Sequence, residues 1–213
     1  MPTDIDKKRF EAICKPHLYK YIELFSQMRC KGGNGYYEYV KKVLSETAVP
    51  ITAYKKIADY KLDVVDDIEK LFLILDEKNT EDGLSKVVTG PGWTKDQDIV
   101  IDGHVYNWAN DKKGKSTDLS RTNNIYSIHK IQGFDLNYAG VIFGKEVFYN
   151  TDTCQIEINK RELKDNHTKS SGNLAMRQFI INIYITLMTR GISGTYVYAY
   201  DENLREYLKK FFC

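Results

Sequence analysis

Ser127-Ile128-His129-Lys130-Ile131-Gln132-Gly133-Phe134-Asp135-Leu136-Asn137-Tyr138-Ala139-Gly140-Val141-Ile142-Phe143 reads as a strand, a Gln-Gly loop closed by an acid, and a second, apolar strand. Further along, Tyr184-Ile185-Thr186-Leu187-Met188-Thr189-Arg190-Gly191 is the end of an apolar helix that stops on Thr-Arg-Gly. That helix runs from Asn173 to Met188, with Met176, Ile180, Ile183, Tyr184 and Leu187 on one face at helical spacing. Gly194 to Tyr200 follows as a strand and Glu202 to Phe212 as a last helix.

Upstream the same alternation holds. Tyr60 to Val65 is a strand, and Asp66-Asp67 is suited to cap a helix from Ile68 to Leu75. Leu84 to Thr89 is another strand, ended by Gly90-Pro91-Gly92-Trp93. Strands alternating with helices build βαβ units and a largely parallel sheet, so the fold class is α/β. Two stretches interrupt the rhythm. Ile99 to Trp108 has the pattern of a hairpin about Asp102-Gly103, and the polar run Asn110 to Thr122 reads as a loop. Glu146 to Ile158 reads as a second hairpin. Near the start, residues 5–22 are helical in pattern with an interruption at Pro16. Tyr21 to Arg29 is a strand or helix end, Gly32 to Gly35 a turn, and Tyr36 to Ser45 a helix. This gives an N-terminal helical segment over 1–20 and one domain over 21–213, with insertions near 95–122 and 145–170.

Composition narrows the class. With 213 residues, the chain is long enough for a substantial core. A net charge of +2 removes any overall basic field, so a nucleic-acid surface has to be local. The 16 tyrosines are core and strand residues first and stacking platforms second. Cys14, Cys30, Cys154 and Cys213 form no close pairs, which fits reduced thiols in the cytoplasm. Cys14 and His17 have the spacing of half a zinc site, but no second half follows, so no metal site is expected. There is no secretory leader pattern and no run of 18 apolar residues, which argues against a membrane span.

Two constellations carry chemistry. Arg190 stands at the C-terminal end of a buried helix, where the helix dipole favours a cation, and Gly191 fits the C′ position. That alone is a structural account. Gly133 lets the backbone come close to a phosphate or ribose, or simply closes a tight connection. Beside these, Val64-Val65-Asp66-Asp67 has the outline of a strand ending in Mg²⁺-binding acids. No phosphate loop of the form G-x-x-x-x-G-K-[ST] precedes it, so it reads as strand end and helix cap.

In order and spacing, Leu24-Phe25-Ser26-Gln27-Met28-Arg29, the Gln132-Gly133 unit and the Thr189-Arg190 helix end resemble motifs IV, V and VI of superfamily 1 helicases. More narrowly, Ile131 to Gly144 and Leu187 to Tyr198 resemble the C-terminal part of the bacterial Schlafen-like DNA/RNA helicase domain family, over about residues 20 to 210. The resemblance implies a RecA-like second motor domain. It would lend an arginine finger, Arg190, and a second arginine, Arg29, to ATP and Mg²⁺ held by an N-terminal phosphate-loop domain. A guanidinium suits that task because it is permanently charged and forks onto phosphate oxygens. Gln27, Gln132, Gly133, Asp135 and Thr189 would be ATP contacts. His129 and Lys130 would touch single-stranded DNA or RNA. Without the phosphate loop, this chain alone should not hydrolyse ATP.

Two other classes compete. Asp152 with Glu157 and Lys160 has a nuclease-like composition, but E-x-x-K sends the lysine to the opposite strand face from E-x-K. A non-catalytic module for single-stranded nucleic acid or a protein partner would use the tyrosines and the basic loop at Lys112, Lys113 and Lys115.

Overall fold

The computed structural model describes residues 7–15, 28–46, 59–93, 98–109, 124–164 and 173–213. Among these, β1 (Lys61–Val64), β2 (Ser85–Thr89), β5 (Asn124–Ser127), β6 (Leu136–Phe143) and β9 (Gly191–Ala199) are neighbours in one parallel array. The full order is β1-β9-β6-β2-β5-β4-β3, in seven strands. β4 (His104–Trp108) joins β5 in parallel, and β3 (Ile99–Ile101) closes the hairpin antiparallel to β4. The hairpin about Asp102-Gly103 is therefore present, and it is also the edge of the main sheet. A second hairpin, β7 (Val147–Asn150) with β8 (Gln155–Ile158), stands apart as a two-stranded sheet.

Both faces of the sheet are covered, as an α/β fold requires. Val88, Val141, Val197 and Ala199 pack on one side with α2 (Gly33–Ser45), α4 (Asn173–Met188) and α5 (Glu202–Phe212). Val87, Ile142, Tyr196 and Tyr198 point the other way, into α3 (Ile68–Asp82) and the β3–β4 hairpin. The alternation along one strand is the pleat's period of two with both faces buried. Burying each large apolar side chain contributes roughly 1.5–3 kcal/mol. This mostly parallel sheet flanked by helices is consistent with a RecA-like fold. α1 (Lys7–Cys14) falls in the expected N-terminal helical stretch.

The helix signals are visible in the caps. Asp67 caps α3 by accepting from Glu69 N at 2.7 Å, and Asp201 caps α5 by accepting from Leu204 N at 2.7 Å. Thus Val64 to Asp67 is strand end plus cap. α3 runs seven residues past the expected Leu75, to Asp82, and stops at Gly83 with φ +69°. Gly32 to Gly35 is not the turn it was expected to be. The turn ends at Gly32, and Gly33 to Gly35 open α2. Cys30 and Tyr36 are buried on either side of the glycines. A Cβ on Gly32 would lie 2.6 Å from Tyr36 Cβ. The expected interruption at Pro16, the Tyr21 to Gln27 segment and the Asn110 to Thr122 loop lie outside the described residues.

β9 starts three residues before the expected Gly194. Its pairing with β6 steps from Leu136↔Gly191 to Tyr138↔Gly194, so three residues face two and β9 carries a bulge. Gly191 is therefore not a left-handed helix cap, and its φ is not positive. Glycine is required by closeness instead: a Cβ there would lie 2.1 Å from Gly194 O and 3.1 Å from Ala139 N.

Candidate functional site

α4 ends at Met188, and Thr189 tightens its last turn. The Thr189 Oγ1 hydroxyl donates to Ile185 O at 3.0 Å, and Arg190 N donates to Leu187 O at 3.1 Å. Arg190 then sits at the N-terminal edge of β9, only 8% exposed. Its Nη2 donates to the carbonyl oxygen of Ile131, while its Nε has no hydrogen-bond partner. Burial pushes its pKa down, and the neighbouring Arg29 charge pushes it further. Asp135 pulls the other way. The arginine stays protonated.

Asp135 immediately precedes β6 and reaches Arg29 Nε with Oδ1 at 3.3 Å. Both partners are substantially open to solvent, so the pair contributes at most about 1 kcal/mol to stability. Arg29, Asp135 and Arg190 thus meet at one end of the sheet, where β6 and β9 begin, although they come from three distant parts of the chain. Two cations and one carboxylate leave a net positive site suited to an anion with several oxygens.

The loop between β5 and β6 supplies the rest. Lys130 N donates to Ser127 O at 2.9 Å and Phe134 N to Ile131 O at 3.2 Å, which fold it into two turns. β5 ends at Ser127, so the expected strand over 127–131 is a turn from Ile128 onward. Ile131 is buried and anchors the loop, leaving Gln132, Gly133 and Asp135 exposed. Gly133 has φ +86°, a left-handed conformation that favours glycine. His129 is exposed and Lys130 half-buried on the same loop. Thr189 is buried and bonded within its own helix, so it shapes the turn and presents no hydroxyl to that end of the sheet. Gln27 lies outside the described residues.

Several groups here had no signal in the pattern of residues. The Ile131 carbonyl that holds Arg190 is backbone, which any residue would provide. Tyr36 and Tyr60, whose hydroxyls serve carbonyls around Arg190, read only as core residues. Glu146 follows β6 at the opposite end of the sheet and is fully buried. Tyr184 Oη donates to its Oε1 at 2.6 Å, and its Oε2 has no partner. Burial raises its pKa to about 7.

The nuclease-like residues do not form a site. Glu157 Oε1 accepts from Thr153 Oγ1 at 2.7 Å and from Asn150 Nδ2 at 3.0 Å, which closes the β7–β8 turn. Among the described residues no three His, Cys, Asp or Glu side chains stand together as a metal site. No helix among them is long and apolar enough to cross a membrane.

The family model for the Schlafen group 3 DNA/RNA helicase domain matches residues 4–201. The uncharacterized Saccharomyces cerevisiae protein YPL245W is 30% identical over 174 residues, covering 72% of this chain. The match takes in only 37% of the yeast protein's length. No solved structure matches the chain.

Proposed function

Because the chain belongs to the Schlafen group 3 DNA/RNA helicase domain family, we propose that it is the C-terminal motor half of a superfamily 1-like, nucleic-acid-dependent ATPase or helicase. The observation that carries this reading is the meeting of Arg29, Asp135 and Arg190 at one end of the sheet, with a buried Arg190 Nε left without a partner. Polar groups buried without partners are rare and call for an explanation. A phosphate oxygen approaching that end is one. Arg190 and Arg29 would hold the phosphates of ATP, and exposed Gln132 and Gly133 would face the rest of the nucleotide. ATP supplies the transferable phosphoryl group. Mg²⁺ would come with the phosphate-loop domain of the complete motor, since this chain has no G-x-x-x-x-G-K-[ST] sequence.

The same loop offers a route from nucleic acid to nucleotide. His129 and Lys130 would meet the backbone of single-stranded DNA or RNA, while Ile131, next in sequence, holds the Arg190 guanidinium. A strand pulling on this loop would displace the acceptor that orients the arginine. All four cysteines are free thiols, which fits a reducing compartment such as the cytoplasm.

The test is Arg190→Ala in the motor assembled with its phosphate-loop domain. Turnover should fall by about 10³-fold or more, the range for loss of an arginine finger, with the fold retained. Wild-type turnover would sink the assignment. A second reading is favoured by one observation, the bond from Arg190 to the Ile131 carbonyl, which already gives the arginine a structural task. On it, the chain is a non-catalytic module for single-stranded nucleic acid or a protein. Salt-sensitive binding of oligonucleotides without any nucleotide, together with an inert Arg190→Ala, would favour this reading.

A further inference from the structure

The carbonyl oxygen of Met188, the last residue of α4, lies inside a cluster of hydroxyls. Tyr36 Oη donates to it at 2.8 Å and Thr195 Oγ1 at 2.9 Å, and Tyr60 Oη is 3.4 Å away. Tyr60 Oη also lies 2.8 Å from Thr195 Oγ1 and 3.3 Å from Gly191 O. Thr195 and Tyr36 are fully buried, and Tyr60 is 4% exposed.

Each hydroxyl has a single proton. The Thr195 proton is directed to Met188 O, so the short Tyr60–Thr195 contact is Tyr60 donating. The order of donation runs from Tyr60 to Thr195 to Met188 O, with Tyr36 arriving from the other side. A helix leaves its last carbonyls without internal partners, and water or a left-handed glycine is the usual remedy. Here three side chains from α2, the start of β1 and β9 do it. The carbonyl they serve, Met188 O, comes two residues before Arg190, and Gly191 O, one residue after it, lies 3.3 Å from Tyr60 Oη.

The same elements fix the second arginine. Lys31 N donates to Ile192 O at 2.8 Å, so the backbone two residues past Arg29 is tied to the backbone two residues past Arg190. Tyr36 continues that tie from α2 to Met188, and its ring packs on Tyr60 at 4.3 Å between centroids. Both arginine-bearing segments are therefore joined to one buried cluster.

The geometry points to Tyr60 and Thr195, with Tyr36, as positioning residues that set the direction of Arg190 and its spacing from Arg29. Their effect on turnover rests on the function proposed above. Their effect on Arg190 itself does not, and the two are measured separately. The first measurement is hydrogen exchange at Arg190 Nε in the ¹⁵N-arginine-labelled chain, the signal being identified by its loss in Arg190→Lys. Tyr60→Phe and Thr195→Val should each speed that exchange roughly 3- to 10-fold, the worth of one internal hydrogen bond. Thr195→Ser, which keeps the hydroxyl, should stay near wild type, as should the amide of Val141 in all variants.

Unchanged exchange in Thr195→Val overturns the proposal, and this variant keeps the test available if Tyr60→Phe does not fold. The second measurement is ATP turnover by the motor assembled with its phosphate-loop domain. Thr195→Val should lower kcat roughly 3- to 10-fold with KM unchanged, and Thr195→Ser should restore it. Faster exchange with unaltered kcat overturns the catalytic half of the proposal. Wild-type turnover in Arg190→Ala refutes the functional reading and leaves the exchange result standing.

Discussion

Replacing Glu146 with glutamine should change how stability depends on pH more than it changes the fold. Glu146 is fully buried beyond the C-terminal end of β6. Its Oε1 accepts from Tyr184 Oη at 2.6 Å, and that hydroxyl in turn accepts from Gly144 N at 3.1 Å. Gly92 and Gly144 close over it so tightly that a Cβ on either would lie 1.9 or 2.3 Å from Oε2. Water cannot reach the carboxyl, and removal from water disfavours the charged form. Its pKa therefore rises from 4.5 to about 7, burial being the larger cause and the Glu162 charge a smaller one, against the Tyr184 hydrogen bond that lowers it.

An acid with a raised folded-state pKa keeps its proton in the folded chain when the unfolded chain has already lost it. Its contribution is fully present below pH 4.5 and declines until it is gone above about pH 7. At about 1.4 kcal/mol per pH unit, the span from 4.5 to 7 corresponds to about 3 kcal/mol. The assay is urea unfolding of wild type and Glu146→Gln at intervals across that range. The difference between their unfolding free energies should shift in favour of the glutamine variant by about 3 kcal/mol as pH rises. Parallel profiles would refute the reasoning, because a group that titrates alike in both states contributes no slope.

Three further outcomes are expected. Gly191→Ala places a methyl against backbone atoms that cannot swing aside, and should cost roughly 2–3 kcal/mol in thermal unfolding; a neutral result would mean that the β9 bulge can relax. Asp67→Ala removes the cap of α3 and should cost about 1 kcal/mol. It should also speed exchange at the Glu69 amide, and unchanged exchange there would show that water replaces the cap. Asp135→Asn breaks a half-open pair and should change stability by less than about 1 kcal/mol, so a loss well above that would reveal a carboxylate far more constrained than its exposure suggests.

What could be read from the residues, and what could not, divides along physical lines. α4 and α5 begin and end where apolar periodicity and, for α5, the Asp201 cap put them, because both signals are local. The last seven residues of α3, Asp76 to Asp82, are polar and largely outside the core, so nothing in their pattern marked them as helix. The start of β9 was hidden because Gly191-Ile192-Ser193 lacks a strand pattern. Pairing with β6 makes it strand. The encounter of Arg29, Asp135 and Arg190 was suggested by resemblance, since residues so distant in sequence carry no local sign of contact. The hydroxyl cluster on Met188 had no sign at all, because its acceptors are main-chain oxygens. Glu146 read only as the first residue of a hairpin, and the closure of Gly92 and Gly144 around it is what shows why it is buried.

The extra residue in β9 also sets the parity of everything that follows it. Beyond Gly194, Thr195, Val197 and Ala199 face α2 and α4, while Tyr196 and Tyr198 face α3. Side chains on a strand alternate, so in regular pairing Gly191 and Gly194, three apart, would lie on opposite faces; the extra residue lets both pair with β6 positions two apart. Deleting Ile192 or Ser193 would leave two residues facing two, so every later pair, Thr195 with Ala139 included, would keep its face. Deleting both would leave the segment one residue short of regular pairing. Tyrosines would then be driven into the layer now filled by valine and alanine, and Thr195 would be turned away from Met188. The strand's tolerance to deletion should follow that count: one residue lost straightens it, and two exchange its faces.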